Sequence, residues 1–210
     1  MSGRAEILSR IRAAGASASE APEIPMEYRQ AWKVSGKIRL ARLVKRLEDY
    51  GVTVLRAETA DDIAGIAERR LAERGIGSLI IPADLPESWR PRAPELVADA
   101  GQGPHELDGI EGVMTGCALA IAETGTIVLD AGPGQGRRAI TLVPDYYLCV
   151  VLADQVVGIV PEAIARLAEA ARDGRPLTFI SGPSATADIE LDRVAGVHGP
   201  RRLDVILAGG

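Results

Sequence analysis

Apolar residues recur along this chain with two different periods, and the change from one period to the other marks its elements. From Lys37 to Tyr50, Leu40, Leu43, Val44 and Leu47 fall at i, i+3, i+4 and i+7, the stripe of an amphipathic helix, and Gly51 follows at the C-terminal cap position. Val52 to Leu55 alternates as a strand does. Thr59-Ala60-Asp61-Asp62 resembles a capping box opening a helix with Ile63, Ile66, Ala67 and Leu71 on one face, closed by Gly75. Ser78-Leu79-Ile80-Ile81-Pro82 is a second short apolar strand, so this half has the strand, helix, strand rhythm of parallel α/β architecture. Proline-rich Leu85 to Pro94 interrupts it.

From Ala118 the pattern changes to consecutive strand-like runs: Ala118 to Ala122, Thr126 to Leu129, Ala139 to Val143 and Leu148 to Leu152. Some of these must pair antiparallel, because no crossover helix fits between them. A last helix has Pro161 in its first turn and Ile164, Leu167, Ala168 and Ala171 on one face. It ends at Gly174, before the strand Leu177 to Ile180, and Leu203 to Leu207 supplies the final strand. Upstream, Ile7, Leu8 and Ile11 suggest a short helix, and Ala13 to Met26 has no sustained period. Residues 1–36 are therefore expected to form a helical extension and linker, and residues 37–210 one α/β domain.

Composition narrows the class. A chain of 210 residues with 47% hydrophobic and 25% charged residues has ordinary globular usage, and 3% aromatics shift packing onto Ala, Val, Leu and Ile. A net charge of −5 disfavours a general nucleic-acid binder, which needs a basic face against phosphate. No run approaches the roughly 20 apolar residues that span a bilayer, and the N-terminus lacks the apolar core of a secretory signal, so a cytoplasmic location without membrane contact is expected. Cys117 and Cys149 lack the clustered spacing of a zinc or iron–sulfur ligand set, and no histidine pair has ligand spacing; no metal site is expected on this chain.

Four segments carry candidate chemistry. Gly132-Pro133-Gly134-Gln135-Gly136 follows a strand, but the dinucleotide fingerprint opens a helix and here a strand-like run follows; a glycine-rich hairpin loop fits better, with Arg137 and Arg138 able to present charge to an anion. Ile121-Ala122-Glu123-Thr124-Gly125-Thr126 sets a carboxylate and two hydroxyls between two apolar runs. Glu123 there is either a ligand-facing base or nucleophile, or the acceptor of backbone N–H groups in a turn whose Gly125 supplies an unusual angle. Gly182-Pro183-Ser184-Ala185-Thr186-Ala187-Asp188-Ile189-Glu190 follows the strand ending at Ile180, at the carboxyl end where open α/β sheets bind ligands. It reads as an anion cradle of backbone amides with the Ser184 and Thr186 hydroxyls, or as an ordinary helix cap. His198 lies in the turn Gly196-Val197-His198-Gly199-Pro200, as a proton carrier or as a partner of loop backbone.

Together, the motifs Ile121 to Thr126, Gly182 to Glu190 and Gly196 to Pro200, in this order, resemble the LUD-domain family, in particular its lactate utilization protein C branch. The resemblance implies an α/β fold with a mixed sheet and helices on both faces, like that of the ribose-phosphate isomerase and CoA-transferase group, behind the helical N-terminal extension. It implies an accessory role in oxidising L-lactate to pyruvate, alongside iron–sulfur partner proteins that hold the clusters, with no cofactor bound by this chain itself. The pocket expected from the motifs takes a small anion. Its chemistry-bearing residues are Glu123, Asp188 and His198, and its binding residues are Thr124, Gly125, Thr126, Gly182, Pro183, Ser184 and Thr186. Two other readings remain open: an independent enzyme acting on a phosphorylated sugar or acyl thioester through Glu123, and a structural interaction module.

Overall fold

Two long and almost wholly apolar strands, β7 (Tyr146–Leu152) and β12 (Arg202–Ala208), lie side by side in parallel at the centre of the larger of two sheets. Their lack of polar alternation follows from burial on both faces. The computed structural model describes residues 3–15, 25, 27–183, 185–187, 193–195 and 198–209. Around the central pair, β1 (Thr53–Ala57), β2 (Ser78–Ile81), β3 (Glu95–Ala98) and β4 (Gly112–Thr115) complete a six-stranded parallel sheet in the order β1-β12-β7-β4-β2-β3.

The antiparallel pairing expected among the strand-like runs after Ala118 lies in a second sheet. There β5 (Leu119–Ile121) pairs antiparallel with β6 (Thr126–Leu129), which pairs antiparallel with β9 (Thr178–Ile180), while β8 (Val156–Val157) runs parallel to β5. The strand character is thus mixed, but it is divided between two sheets packed face to face. A two-stranded ribbon, β10 (Ala185–Ala187) with β11 (Arg193–Ala195), stands apart.

The two-residue period of β7 sorts its side chains between layers. Tyr146, Leu148 and Val150 face Ile63, Ala67 and Leu71 of α3 (Ile63–Arg74), whereas Tyr147, Cys149 and Val151 pack with Ala120, Ile127 and Leu129 of the second sheet and with Leu43 and Leu47 of α2 (Gly36–Asp49). On its other face the second sheet receives α5 (Val160–Arg172) through Leu119, Ile121, Val128, Ala163 and Leu167. The stack therefore runs α3, six-stranded sheet, second sheet with α2, then α5. The short α4 (Pro104–Asp108) precedes β4, and α1 (Gly3–Gly15) buries none of its residues.

Local signals placed most of these elements. The Thr59 N–H donates to Asp62 Oδ2 at 2.9 Å, closing the expected cap before α3. Three expectations differ. Residues 138–141 form a 3-10 turn rather than a strand, because the Thr141 hydroxyl donates to the Arg138 carbonyl at 3.1 Å and holds the backbone in a turn. The buried stripe of α5 is Ala163, Leu167 and Ala170, with Ile164 outward at 51% exposure; the small alanines let the helix lie close to the sheet. Finally, β3 and β4, like the shorter β8, β10 and β11, lie where no strand is predicted, since each holds at most two large apolar residues and gains its definition from the neighbours it pairs with.

One polar group breaks the apolar run of β12. Asp204 is fully buried and accepts from Arg70 Nε at 2.7 Å, from Arg74 at 3.0 and 3.1 Å, and from Tyr146 Oη at 3.0 Å. Burial alone would raise its carboxyl, but the hydrogen bonds from Arg70, Arg74 and Tyr146 win and hold it below the ordinary carboxylate range. The cluster pins α3 to the sheet. Asp204→Ala is expected to lower stability by about 3 kcal/mol in urea denaturation, because two arginines lose their shared partner. Since the folded carboxyl lies below its unfolded value of about 3.9, the contribution of Asp204 is present above that pH and lost as pH falls through the folded value. An acid titration of stability in the wild type and Asp204→Asn should diverge above pH 4 and converge below it.

Candidate functional site

The turn between β5 and β6 is built by backbone and by close packing. The Ala122 and Glu123 N–H groups donate to the carbonyls of Val157 and Gly158 at 2.9 and 3.0 Å, and Gly125 N–H donates to the Ile121 carbonyl at 2.9 Å. Gly125 has φ of 66°, and a Cβ there would stand 2.6 Å from Arg46 Cβ and 3.1 Å from the Arg46 carbonyl carbon in α2. Glu123 is tied outward: its half-exposed carboxylate pairs with Arg29, and its carbonyl accepts from Arg46 Nε at 3.1 Å.

From this turn a chain of hydroxyls leads inward. Thr124 Oγ1 and Thr126 Oγ1 are 2.7 Å apart, and Thr126 Oγ1 lies 2.8 Å from Ser181 Oγ, just beyond β9. Next comes Gly182, with φ of 90° and a position where a Cβ would lie 2.8 Å from Tyr50 Cβ, at the end of α2. The glycines of two separate motifs thus make room for the same helix. This is a packing reason for both, since a side chain in either place meets α2 as well as an unfavourable backbone angle.

Ser181, Gly182, Pro183 and His198 line a cavity of about 220 Å³ with Arg138, Thr141 and Tyr147. Phe179, Ile180 and Pro200 supply apolar walls. The Arg138 guanidinium donates to Thr141 Oγ1 at 3.1 Å, and no carboxylate among the described residues pairs with it. Burial pulls it down from the ordinary arginine range, partly offset by Tyr147, and it remains a cation. Thr115 Oγ1 donates to the Gly116 carbonyl at 2.7 Å, so the Tyr147 hydroxyl, 2.7 Å from the same oxygen, must be the donor to it. Burial, the neighbouring Cys149 and other buried groups push the Tyr147 phenol upward, so it is a neutral wall of the cavity.

The motifs named from sequence therefore meet in part. Gly182, Pro183 and His198 share the cavity; Thr124 and Thr126 reach its edge through Ser181; Glu123 and Gly125 lie outside its lining. Thr186 lies in β10, while Ser184 and Asp188 fall outside the described residues. Ser181, Gly182 and Pro183 follow the carboxyl end of β9 as expected, but β9 belongs to the second sheet and the cavity also adjoins the amino-terminal ends of β7 and β12, so the carboxyl-end rule for parallel sheets does not locate it. Thr141 and Tyr147 were missed because one sits in a turn that reads as a strand and the other at the head of an apolar run.

Two other concave regions are occupied by their own charges. A cavity of about 610 Å³, also at the amino-terminal strand ends, is lined by Arg74, Arg201 and Arg202, but these pair with Asp204 and Asp145. The loop Gly132 to Gly136 crosses from the second sheet to the first rather than closing a hairpin. Asp84 accepts its Gly134 N–H at 2.9 Å and Asp99 pairs with Arg137 at 2.6 Å, so carboxylates stand where a pyrophosphate would need bare amides. Among the described residues, no three His, Cys, Asp or Glu side chains cluster as metal ligands would. No helix among them is long and apolar enough to cross a membrane.

With this geometry in hand, comparison with known proteins is specific. The LUD domain matches residues 104–208, a span that contains every residue lining the 220 Å³ cavity. A protein of Deinococcus radiodurans named lactate utilization protein C is 43% identical over 195 residues, covering 92% of this chain and 91% of its own. The chain belongs to the LUD-domain family. A lactate utilization protein C of Geobacillus thermodenitrificans is 31% identical over 168 residues, 71% of this chain and 70% of its own. A crystal structure of a DUF162 family protein from Deinococcus radiodurans matches with a TM-score of 0.74 and 38% identity, over 84% of this chain and 99% of that one. For this LUD domain, the α/β architecture read from periodicity agrees with that of the solved neighbour.

The two roles assigned to the β5–β6 turn are separable by stability. Gly125→Ala is expected to cost about 2–4 kcal/mol in urea denaturation, from the left-handed backbone and the clash with Arg46. Glu123→Gln removes only a half-exposed ion pair and should cost less than about 1 kcal/mol.

Proposed function

We propose that this LUD domain is an accessory component of an L-lactate-utilization system and that the 220 Å³ cavity binds a small anion. The observation that carries the reading is the 43% identity, over nearly the whole length of both chains, to a protein named for lactate utilization. Oxidation of L-lactate to pyruvate releases two electrons and two protons. In this reading the electrons pass to iron–sulfur clusters held by partner proteins, and this chain, binding no cofactor of its own, works beside them.

The cavity supports the second half of the reading. A half-buried arginine with no carboxylate beside it among the described residues favours an anionic visitor, and backbone at Gly182 and Pro183 approaches the same space. His198 lines the same cavity and is assigned to its chemistry-bearing side. Ser184, Thr186 and Asp188 continue the same segment and are assigned to the ligand side of the site, with Thr124, Gly125 and Thr126 behind them. Glu123 is assigned to holding that turn through Arg29.

Affinity copurification of the chain from lactate-grown cells should recover iron–sulfur proteins. Deleting its gene should abolish growth on L-lactate while leaving growth on pyruvate unchanged. Restoring the gene with His198→Ala or Asp188→Ala should restore lactate growth poorly. Full growth on L-lactate without the gene would overturn the role, and turnover of a phosphorylated sugar or acyl thioester by the isolated chain would replace it with an independent enzyme.

A further inference from the structure

We infer that this protein pairs with a second copy of itself by exchanging helix α1: each α1 lies in an apolar trough of the other copy, between the outward flank of α5 and strand β9. Both surfaces are present in one chain and neither is used there.

The trough follows from the width of the second sheet. Its strands run in the order β8-β5-β6-β9, and α5 packs over β8 and β5 and reaches Val128 on β6. Phe179 of β9 stands opposite Val128 in the ladder, so it projects on the same face as α5, yet it is 46% exposed. One helix about 10 Å across covers two strands spaced roughly 4.8 Å apart and leaves the edge of a four-stranded sheet bare.

The exposed flank of α5 faces that same edge. With about 100° between successive residues, Ala163, Leu167 and Ala170 point into the sheet. Arg166 lies to one side of them, where its guanidinium donates to the Asp154 carbonyl at 3.2 Å, just before β8. Val160, Ile164, Ala168 and Ala171, spaced i, i+4, i+8 and i+11, lie to the other side, toward β6 and β9, with Val160 and Ile164 exposed. α5 thus carries two adjoining apolar stripes, of which the sheet takes one, and the alanines of the second leave room for a close helix.

α1 has the matching surface. Ile7, Leu8 and Ile11 fall at i, i+1 and i+4 on one side of a helix of 13 residues, the same length as α5, and Ile7 and Ile11 are 60% and 62% exposed. Glu6 and Arg10 pair with one another at 2.7 Å away from this stripe. The chain that leads to α1 is anchored beside the trough. Trp32 N–H donates to Glu162 Oε1 at 2.9 Å in the first turn of α5, and Arg29 pairs with Glu123 in the β5–β6 turn, so the backbone read from Trp32 to Arg29 passes from α5 toward the edge that carries β9.

Residues 16–28 span at most about 45 Å when extended, enough to reach the chain's own trough or a neighbour's. Within one chain α1 buries none of its residues, so a second copy is the occupant that satisfies both surfaces. Reciprocal exchange closes a two-fold contact. A contact about 20 Å long and 10 Å wide removes on the order of 600 Å² counting both sides. Two of them reach about 1,200 Å², the lower end of specific interfaces, whereas a single arm falls short. Because Phe179 also lines the cavity of about 220 Å³, the partner copy's helix stands at the rim of that cavity.

Sedimentation velocity of the full chain over a concentration series tests the exchange. The wild type should show a monomer–dimer equilibrium. Ile7→Asp combined with Ile11→Asp, and separately Ile164→Asp, should each raise the dimer dissociation constant more than about tenfold. All three positions are exposed, so the circular dichroism spectrum of the protomer should stay unchanged. Mixing the arm variant with the trough variant should give association weaker than the wild type's but stronger than either variant's alone, since one intact α1 then meets one intact trough. A wild type that stays monomeric at every concentration would overturn the inference, and protection of its α1 amides from hydrogen exchange would then assign the trough to the chain's own helix. A dimer that neither variant weakens, or a mixture no better associated than its parts, would overturn it as well.

Discussion

The contact between the two sheets is the constraint on which the rest of the structure depends. Tyr147, Cys149 and Val151 of β7 and Leu203, Val205 and Leu207 of β12 share one core with Ala120, Ile127 and Leu129 of the second sheet. Burying both faces of β7 and β12 removes a large apolar area from water, the dominant favourable term in folding. It also decides where polar groups can go. Within this middle layer a polar atom must find a protein partner, as Tyr147 and Thr115 do with one another.

From that contact the position of α2 follows, and from α2 the form of two motifs. The helix covers the part of the layer that the second sheet leaves open, inserting Leu43 and Leu47, and its far side passes against Gly125 and ends against Gly182. Those glycines come from segments 57 residues apart in sequence, and the same helix is the reason for both. The antiparallel pairing of β6 with β9, Ile127 opposite Ile180, brings the hydroxyls of Thr126 and Ser181 within 2.8 Å and joins the turn after β5 to the cavity beyond β9.

The cavity itself lies at a seam. The ends of β9 and the approaches to β7 and β12 do not close on one another, and the 3-10 turn Arg138–Thr141 lines the space left between them. A cation in that position is costly unless it retains water or meets an anion, which is why the difference between Arg137 and Arg138 matters more than their shared identity. One is held by Asp99 at the surface; the other faces the cavity.

Much of the fold was legible along the chain, because helices α2, α3 and α5 and strands β1, β2, β5, β6, β7, β9 and β12 carry periods and stop signals that act over a few residues. The strands β3 and β4 were not, because Glu95-Leu96-Val97-Ala98 and Gly112-Val113-Met114-Thr115 each hold only two large apolar residues and their pairing is non-local. Of the site, sequence singled out Gly125, Gly182 and His198 by residue type and spacing, and it set Arg137 and Arg138 side by side without a means of telling them apart. Only the tertiary structure separated them, brought Thr126 to Ser181, turned Glu123 outward to Arg29, and placed Tyr147 in the cavity wall. Each of these is a contact between residues distant in sequence, set by how the two sheets and α2 pack, and no local pattern encodes it.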